Sequence, residues 1–169
     1  MPYGAFTRVV REDSELKGLL FAGTETGIYV SWTGGTTWQP FQLNLPVAPI
    51  TDLMIRHGDL IVATSGRSFW IFDDLGLVRQ YNSSDESTVK LYKPEDAVIG
   101  NWGSPLNATS EEFKGTQPFS GVNPANGVVI YYQLPKVPDS LHITLEIMDA
   151  SGKLVRKFTS KKDDAYKEY

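Results

Sequence analysis

A pattern of apolar strand residues, a short polar loop and a turn recurs in this chain, and the spacing of its two copies constrains the fold more than any composition. The first copy runs from Leu19 to Trp38 (LLFAGTETGIYVSWTGGTTW), the second from Leu60 to Asp74 (LIVATSGRSFWIFDD). Laid over each other without a gap, Leu19 meets Leu60, Ala22 meets Ala63, Tyr29 meets Trp70 and Val30 meets Ile71. The offset is about 41 residues, inside the roughly 40–45 of one four-stranded propeller blade. The expected fold class is therefore all-β.

Each copy can be divided into strands. In the first unit, FTRVV (6–10) reads as a strand, and Arg11–Gly18 as a charged turn in which Asp13 and Ser14 are turn formers. Leu19–Gly23 is nearly continuously apolar, as for a strand covered on both faces. Gly27–Trp32 places Ile28, Val30 and Trp32 on one face, Tyr29 and Ser31 on the other. Gly34 and Gly35 supply the positive φ of a hairpin, and Trp38–Leu43 closes the unit as a fourth strand. After the proline-containing connection Asn44–Pro49, the second unit reads as strands at Ile50–Arg56, Leu60–Ser65 and Phe69–Phe72. It has a tight turn at His57-Gly58-Asp59 and a short fourth strand at Leu77–Tyr81.

Beyond Tyr81 the pattern dissolves into Ser, Asp, Glu, Asn, Gly and Pro, broken only at Val89–Tyr92 and Ala97–Trp102. Strand character returns at Gly127–Leu134. At Leu141–Met148, Leu141, Ile143, Leu145 and Ile147 alternate with His142, Thr144, Glu146 and Met148, which predicts one buried face. Asp149–Gly152 reads as a turn and Lys153–Phe158 as the partner strand. The expected organisation is thus residues 1–81 as the final two propeller blades (about 5–43 and 50–81), 82–119 as a linker with few anchoring contacts, and 120–169 as the first strands of an antiparallel β-sandwich with a charged tail. Two blades do not close a propeller, and three strands fall short of the roughly seven of a sandwich. The expectation is a fragment, with the missing blades as its first partners.

Composition excludes several chemistries. A net charge of −4 disfavours nucleic acid as a partner, because phosphate binding needs a basic face. With no cysteine, there is no disulfide, thiolate metal site or cysteine nucleophile. No apolar run reaches the roughly 18–20 residues of a membrane span. No His/Asp/Glu spacing resembles a metal site, and no cofactor is expected.

Ser31-Trp32-Thr33-Gly34-Gly35-Thr36-Thr37-Trp38 resembles an Asp-box, the Ser/Thr-x-Asp-x-Gly-x-x-Trp hairpin of BNR-repeat propellers. Ser31, Gly35 and Trp38 match, and Thr33 stands where the aspartate belongs. In that motif the aspartate accepts backbone N–H groups, the glycine bends the chain and the indole packs between sheets. Threonine accepts one such bond, more weakly. More widely, GAFTRVVRED, GLLFAGTETGIYVS, NLPV, DLIVAT and GRSFWIFDD resemble the last blades of bacterial Vps10/sortilin-like BNR-repeat proteins, often labelled glycosyl hydrolases and related to two-propeller xyloglucanases. NPANGVVIYYQL and ITLEIMDASGKLVRKF resemble the β-sandwich that follows in that family. The resemblance implies a secreted or periplasmic protein. Relatives tend to carry His where Ser65 stands.

In a propeller the loop between second and third strands opens on the ligand face. That nominates Thr24, Glu25 and Thr26 from the first unit, and Gly66, Arg67 and Ser68 from the second. Glu25 could serve as a general acid or accept a sugar hydroxyl, and Arg67 could hold a carboxylate; both also fit plain turn residues, with Arg67 paired to a neighbouring blade. Asp73 and Asp74 are adjacent, but glycosidase carboxyls stand about 5–9.5 Å apart across a substrate, so turn capping is the better reading. His57 falls in a turn and His142 on an exposed strand face. Trp32, Trp38, Trp70, Trp102 and Tyr29 suit core packing better than sugar stacking. Asn82-Ser83-Ser84 and Asn107-Ala108-Thr109 fit the glycosylation sequon. The leading expectation is a binding or scaffold module for polysaccharide or protein, with no catalytic residue of its own. The competing one is part of a glycoside hydrolase whose carboxylates lie mainly on missing blades.

Overall fold

The structure, a computed structural model, describes residues 1, 4–81, 87–97, 127–136 and 141–161. The chain divides into two compact units, Met1–Ser83 with Leu91–Tyr132, and Ser84–Lys90 with Gln133–Tyr169. Among the described residues strands dominate both, and none of the sheets closes on itself.

The first unit holds two sheets. In the first sheet β1 (Thr7–Glu12), β2 (Leu20–Thr24), β3 (Ile28–Ser31) and β4 (Gln39–Pro40) pair antiparallel in chain order. Among the described residues the second sheet has three strands, β5 (Ile50–Arg56), β6 (Asp59–Thr64) and β7 (Phe69–Phe72). The turn at His57-Gly58 has positive φ at both residues, the requirement of a two-residue hairpin loop.

Where a fourth strand was expected at Leu77–Tyr81, the chain forms the helix α1 (Gly76–Gln80). Leu75 and Val78 explain it. Both are buried, and residues three apart share a side of a helix but take opposite faces of a strand. The turn is closed by Arg79 N–H donating to the Leu75 carbonyl and Tyr81 N–H to that of Leu77, both at 2.9 Å.

The two sheets repeat one another bond by bond. Thr7 pairs with Thr24, Val10 with Ala22, Arg11 with Phe21 and Glu12 with Leu20. Ile50 pairs with Thr64, Leu53 with Val62, Met54 with Ile61 and Ile55 with Leu60. Both ladders break register at the same place, between Thr7 and Val9 and between Ile50 and Asp52. Ala22 pairs with Tyr29 as Val62 pairs with Trp70. The gapless overlay therefore holds in β3 and β7, where Tyr29 answers to Trp70. It is one residue out in β2 and β6, where Leu20 (not Leu19) answers to Leu60, and Ala22 to Val62. The second loop, Thr64–Ser68, is one residue longer than Thr24–Gly27 and absorbs the difference.

This register decides how the sheets stack. The first turns Phe21, Ile28 and Val30 inward, and the second turns Leu53, Leu60 and Val62 inward, into one core. Phe41 bridges them, its ring centroid 5.7 Å from Phe21 and 5.2 Å from Phe72. Gly23 permits the approach, since a Cβ there would stand 2.6 Å from Ile50 Cγ2 and 2.8 Å from Val9 Cγ1. By equivalence, the inward face of the first sheet (Phe21, Val30) matches the outward face of the second (Ile61, Ile71). The sheets are stacked head to tail, not face to face.

The segment after α1 is anchored by Gln80, whose side chain donates to the Lys93 carbonyl (3.0 Å) and accepts from its N–H (2.9 Å), and by the buried Tyr92. β8 (Lys90–Leu91) and β9 (Tyr132–Gln133) form a two-stranded sheet. The strand expected over Gly127–Leu134 is thus realised only at Tyr132–Gln133.

In the second unit β10 (Thr144–Met148) and β11 (Leu154–Thr159) form an antiparallel hairpin. Its turn is organised by Asp149 Oδ1, which accepts from Ser151 N–H, Ser151 Oγ and Lys153 N–H. Those bonds hold the Asp149 carboxyl below its ordinary pKa. The alternating face is only half buried, at Ile143 and Leu145; Ile147 is exposed. Trp102, both sequons and the end of the charged tail lie outside the described residues.

Candidate functional site

The two nominated loops are built alike. Thr24 Oγ1 donates to the Gly27 carbonyl at 2.9 Å and accepts from Thr26 N–H, while Thr24 N–H donates to the same carbonyl. In the second loop Thr64 Oγ1 donates to the Ser68 carbonyl at 2.6 Å and accepts from Arg67 N–H, and Thr64 N–H again donates to that carbonyl. Short hydroxyl side chains close such turns by capturing nearby backbone groups. The next residue ties each loop to the start of its first strand: Glu25 N–H donates to the Phe6 carbonyl, Ser65 N–H to that of Pro49. The longer second loop adds positive φ at Gly66 and keeps it at Ser68, where the first loop has Gly27 and where a non-glycine residue is unusual. Ile50 lies between them, against Gly23 on one side and paired with Thr64 on the other, so both loops leave the same end of the stack.

Their charged side chains differ. Glu25 Oε1 accepts from Arg8 Nε at 2.9 Å and from Nη2 at 2.7 Å. That guanidinium was not foreseen, and it makes Glu25 one half of a surface ion pair. Arg67 is exposed and has no ion pair among the described residues, so the expected pairing to a neighbouring sheet is not found there. Its carbonyl accepts from Trp70 Nε1 at 2.8 Å, which fixes the backbone and leaves the guanidinium outside.

The hairpin on the far end, Ser31 to Trp38, is closed by its own hydroxyl side chains. The buried Ser31 Oγ accepts from Thr33 N–H (3.2 Å) and Gly35 N–H (2.9 Å), and Thr33 Oγ1 accepts one backbone bond, from Thr37 N–H at 2.8 Å. Gly34 and Gly35 both have positive φ. The indole differs: Trp38 Nε1 donates to the Gly35 carbonyl, so the ring folds back over its own turn. Packing between elements falls to Trp32, whose Nε1 donates to the Val78 carbonyl at 2.9 Å and whose ring lies 5.9 Å from that of Tyr81.

Sequence reasoning missed the main buried charge. Asp13, whose side chain is fully buried, accepts from Arg79 Nε at 2.8 Å and Nη2 at 2.9 Å, and from Leu16 N–H at 2.8 Å. Burial pushes its carboxyl upward, but the hydrogen bonds from Arg79 and Leu16 with the guanidinium charge outweigh burial and hold it below the usual range. The Arg79 guanidinium is raised in turn, chiefly by its hydrogen bonds to Asp13. This pair fastens the β1–β2 turn to α1. Both groups are consumed in it, which makes it structural.

The remaining candidates stay apart. Asp74 accepts from Gly76 N–H at 2.8 Å and its own N–H donates to Asp59 Oδ1, as turn capping requires. Asp73 is largely exposed, its carboxyl raised by partial desolvation and by the Asp59 charge. His57 sits in its turn and His142 is exposed. Trp70 packs against the core. A recess between the sheets, lined by Ile28, Phe41, Leu45, Val62, Trp70 and Phe72, measures about 50 Å³. That is room for a few waters, whereas ligand pockets occupy roughly 300–1,000 Å³. Among the described residues no three His, Asp or Glu side chains could hold a metal ion, and no helix is long and apolar enough to cross a membrane.

These features define an all-β protein whose best-formed surface is a pair of threonine-anchored loops at one end of two stacked sheets. No family model matches the chain, and no similar curated protein or solved structure is found.

Proposed function

We propose that the two sheets are consecutive blades of a BNR-type propeller, and that the chain is a binding or scaffold module for polysaccharide or protein, without catalysis of its own. The carrying observation is the repeated loop: the same threonine-closed turn leaves the same end of two head-to-tail sheets, and in the second it presents Arg67 with no acidic partner among the described residues. A guanidinium there suits the carboxylate of an acidic sugar or an acidic peptide side chain. Glu25, engaged by Arg8, serves to shape the neighbouring loop.

Affinity electrophoresis of the chain in gels containing neutral or uronic-acid polysaccharides tests this, with a reducing-end assay on the same mixtures. The expected result is retardation by a uronic-acid polymer, weakened about tenfold in Arg67→Ala, with no new reducing ends. Mobility that is the same in every gel, or sugar release by the wild-type chain, would count against the module.

A further inference from the structure

The outward faces of the two sheets are the two halves of the contact already made inside the molecule. On the second sheet Met54, Ile61 and Ile71 form a cross-strand row beside Phe69; Phe69 is 76% exposed, Ile71 60% and Met54 51%. Three of their equivalents on the first sheet, Phe21 for Ile61, Val30 for Ile71 and Ile28 for Phe69, are buried in the shared core, while Met54 answers to Arg11, an exposed residue paired with Asp52. The outward row of the first sheet is Val10, Ala22, Tyr29 and Pro40, of which Val10 and Pro40 are exposed, Tyr29 is half-buried and Ala22 is buried. Its equivalents, Leu53, Val62 and Trp70, are the residues the second sheet turns into the core. Each end of the stack thus carries the half-contact that the other end lacks. At corresponding ends of the outward faces stand Arg56 on the second sheet, opposite Asp59 across its hairpin, and Glu12 on the first, which accepts from Gly18 N–H; both are exposed.

From this we infer that the chain associates head to tail with further copies of itself, the outward face of the second sheet receiving the outward face of the next copy's first sheet. The inference rests on the stacked-blade reading and not on any ligand. Such a contact is heterologous, so it propagates to a ring or an open stack according to the rotation per step.

Sedimentation of the full chain over a concentration series, with Ile71→Asp and Val10→Asp, tests it. Both positions are exposed, and matching unfolding midpoints would establish that both variants fold. The expected result is concentration-dependent mass, weakened at least about tenfold by either substitution, since each buries a charge in an apolar contact. Mixing the two variants should restore a one-to-one pair, because each keeps the face the other has lost. A monomer at every concentration overturns the proposal. So does association lost in Ile71→Asp but kept in Val10→Asp, the signature of a two-fold contact. Amide exchange on the same samples separates the failures. If β2 and β5 are protected together in a monomer, only the association is wrong; if they exchange independently, the stacked-blade reading falls with it.

Discussion

The two sheets of the first unit share a hydrogen-bond plan and differ in what covers it. Val30 and Ile71 occupy the same position, yet Val30 is 1% exposed and Ile71 60%. The ladder is local and reads the same in both, whereas burial comes from a neighbour that only the first sheet has on that side. Their fourth elements differ as well. The first sheet closes with β4 along β3, and the second replaces a strand by α1, fastened through Arg79 to the first sheet's own turn at Asp13. Strand plan and stability are therefore separable here, and substitutions at equivalent positions should show it.

The largest expected effect comes from the fastening. Arg79→Met leaves the buried Asp13 carboxylate without its partner, a loss of about 3–5 kcal/mol, while Asp13→Leu with Arg79→Met should recover most of it. Urea unfolding of the three chains measures this, and a single variant as stable as wild type would show that α1 is not held this way. Next come the paired positions. Val30→Ala should cost about 2 kcal/mol and Ile71→Ala no more than about 0.5 kcal/mol in dilute monomer. Equal costs would mean that the second sheet has a covering neighbour after all.

A smaller effect is expected at the close approach. Gly23→Ala pushes a methyl into Ile50 and Val9 and should cost about 1–2 kcal/mol, because side chains there can yield where backbone could not. The equivalent residue in the second sheet is Ala63, on the uncovered face, where a methyl is already tolerated. A stabilising Gly23→Ala, measured by thermal melting, would contradict the packing of β5 on β2.

The local half of this architecture was legible. An apolar run placed β2, alternation β3 and the repeat β5, β6 and β7, while the glycines placed the turns. What was missed depends on partners distant in sequence or on a one-residue shift. Asp13 looks like any turn aspartate, and Arg79, 66 residues away, like any helix or strand arginine. The run Gly76–Gln80 is too short for periodicity to separate helix from strand. The overlay slipped in β2 because threonine and small residues flank both loops, and an insertion inside a loop is invisible without knowing which threonine closes it. Of the candidate site, the loops themselves were legible, but the Arg8–Glu25 pair was not, since it joins β1 to the loop between β2 and β3, 17 residues on.

The finest test sets two carboxylates against each other by pH. The folded-state pKa of Asp13 lies below its unfolded value, so its contribution is present above the ordinary carboxylate range and is lost as pH falls through the lower folded value. Asp73, after β7, is raised by partial desolvation and by Asp59; its contribution is fully present in acid and is lost as pH rises through the raised value. Asp13→Asn should therefore be less stable than wild type at neutral pH, with the gap closing in acid. Asp73→Asn should match wild type in acid and become slightly the more stable chain above the carboxylate range. Urea midpoints across pH read both differences in one series. Opposite signs would confirm that one sheet uses a satisfied carboxylate to hold a turn, while the other tolerates a strained one beside its uncovered edge. Equal signs would mean that Asp73 has gained a partner in solution, and the uncovered end of the stack would then be the place to look for it.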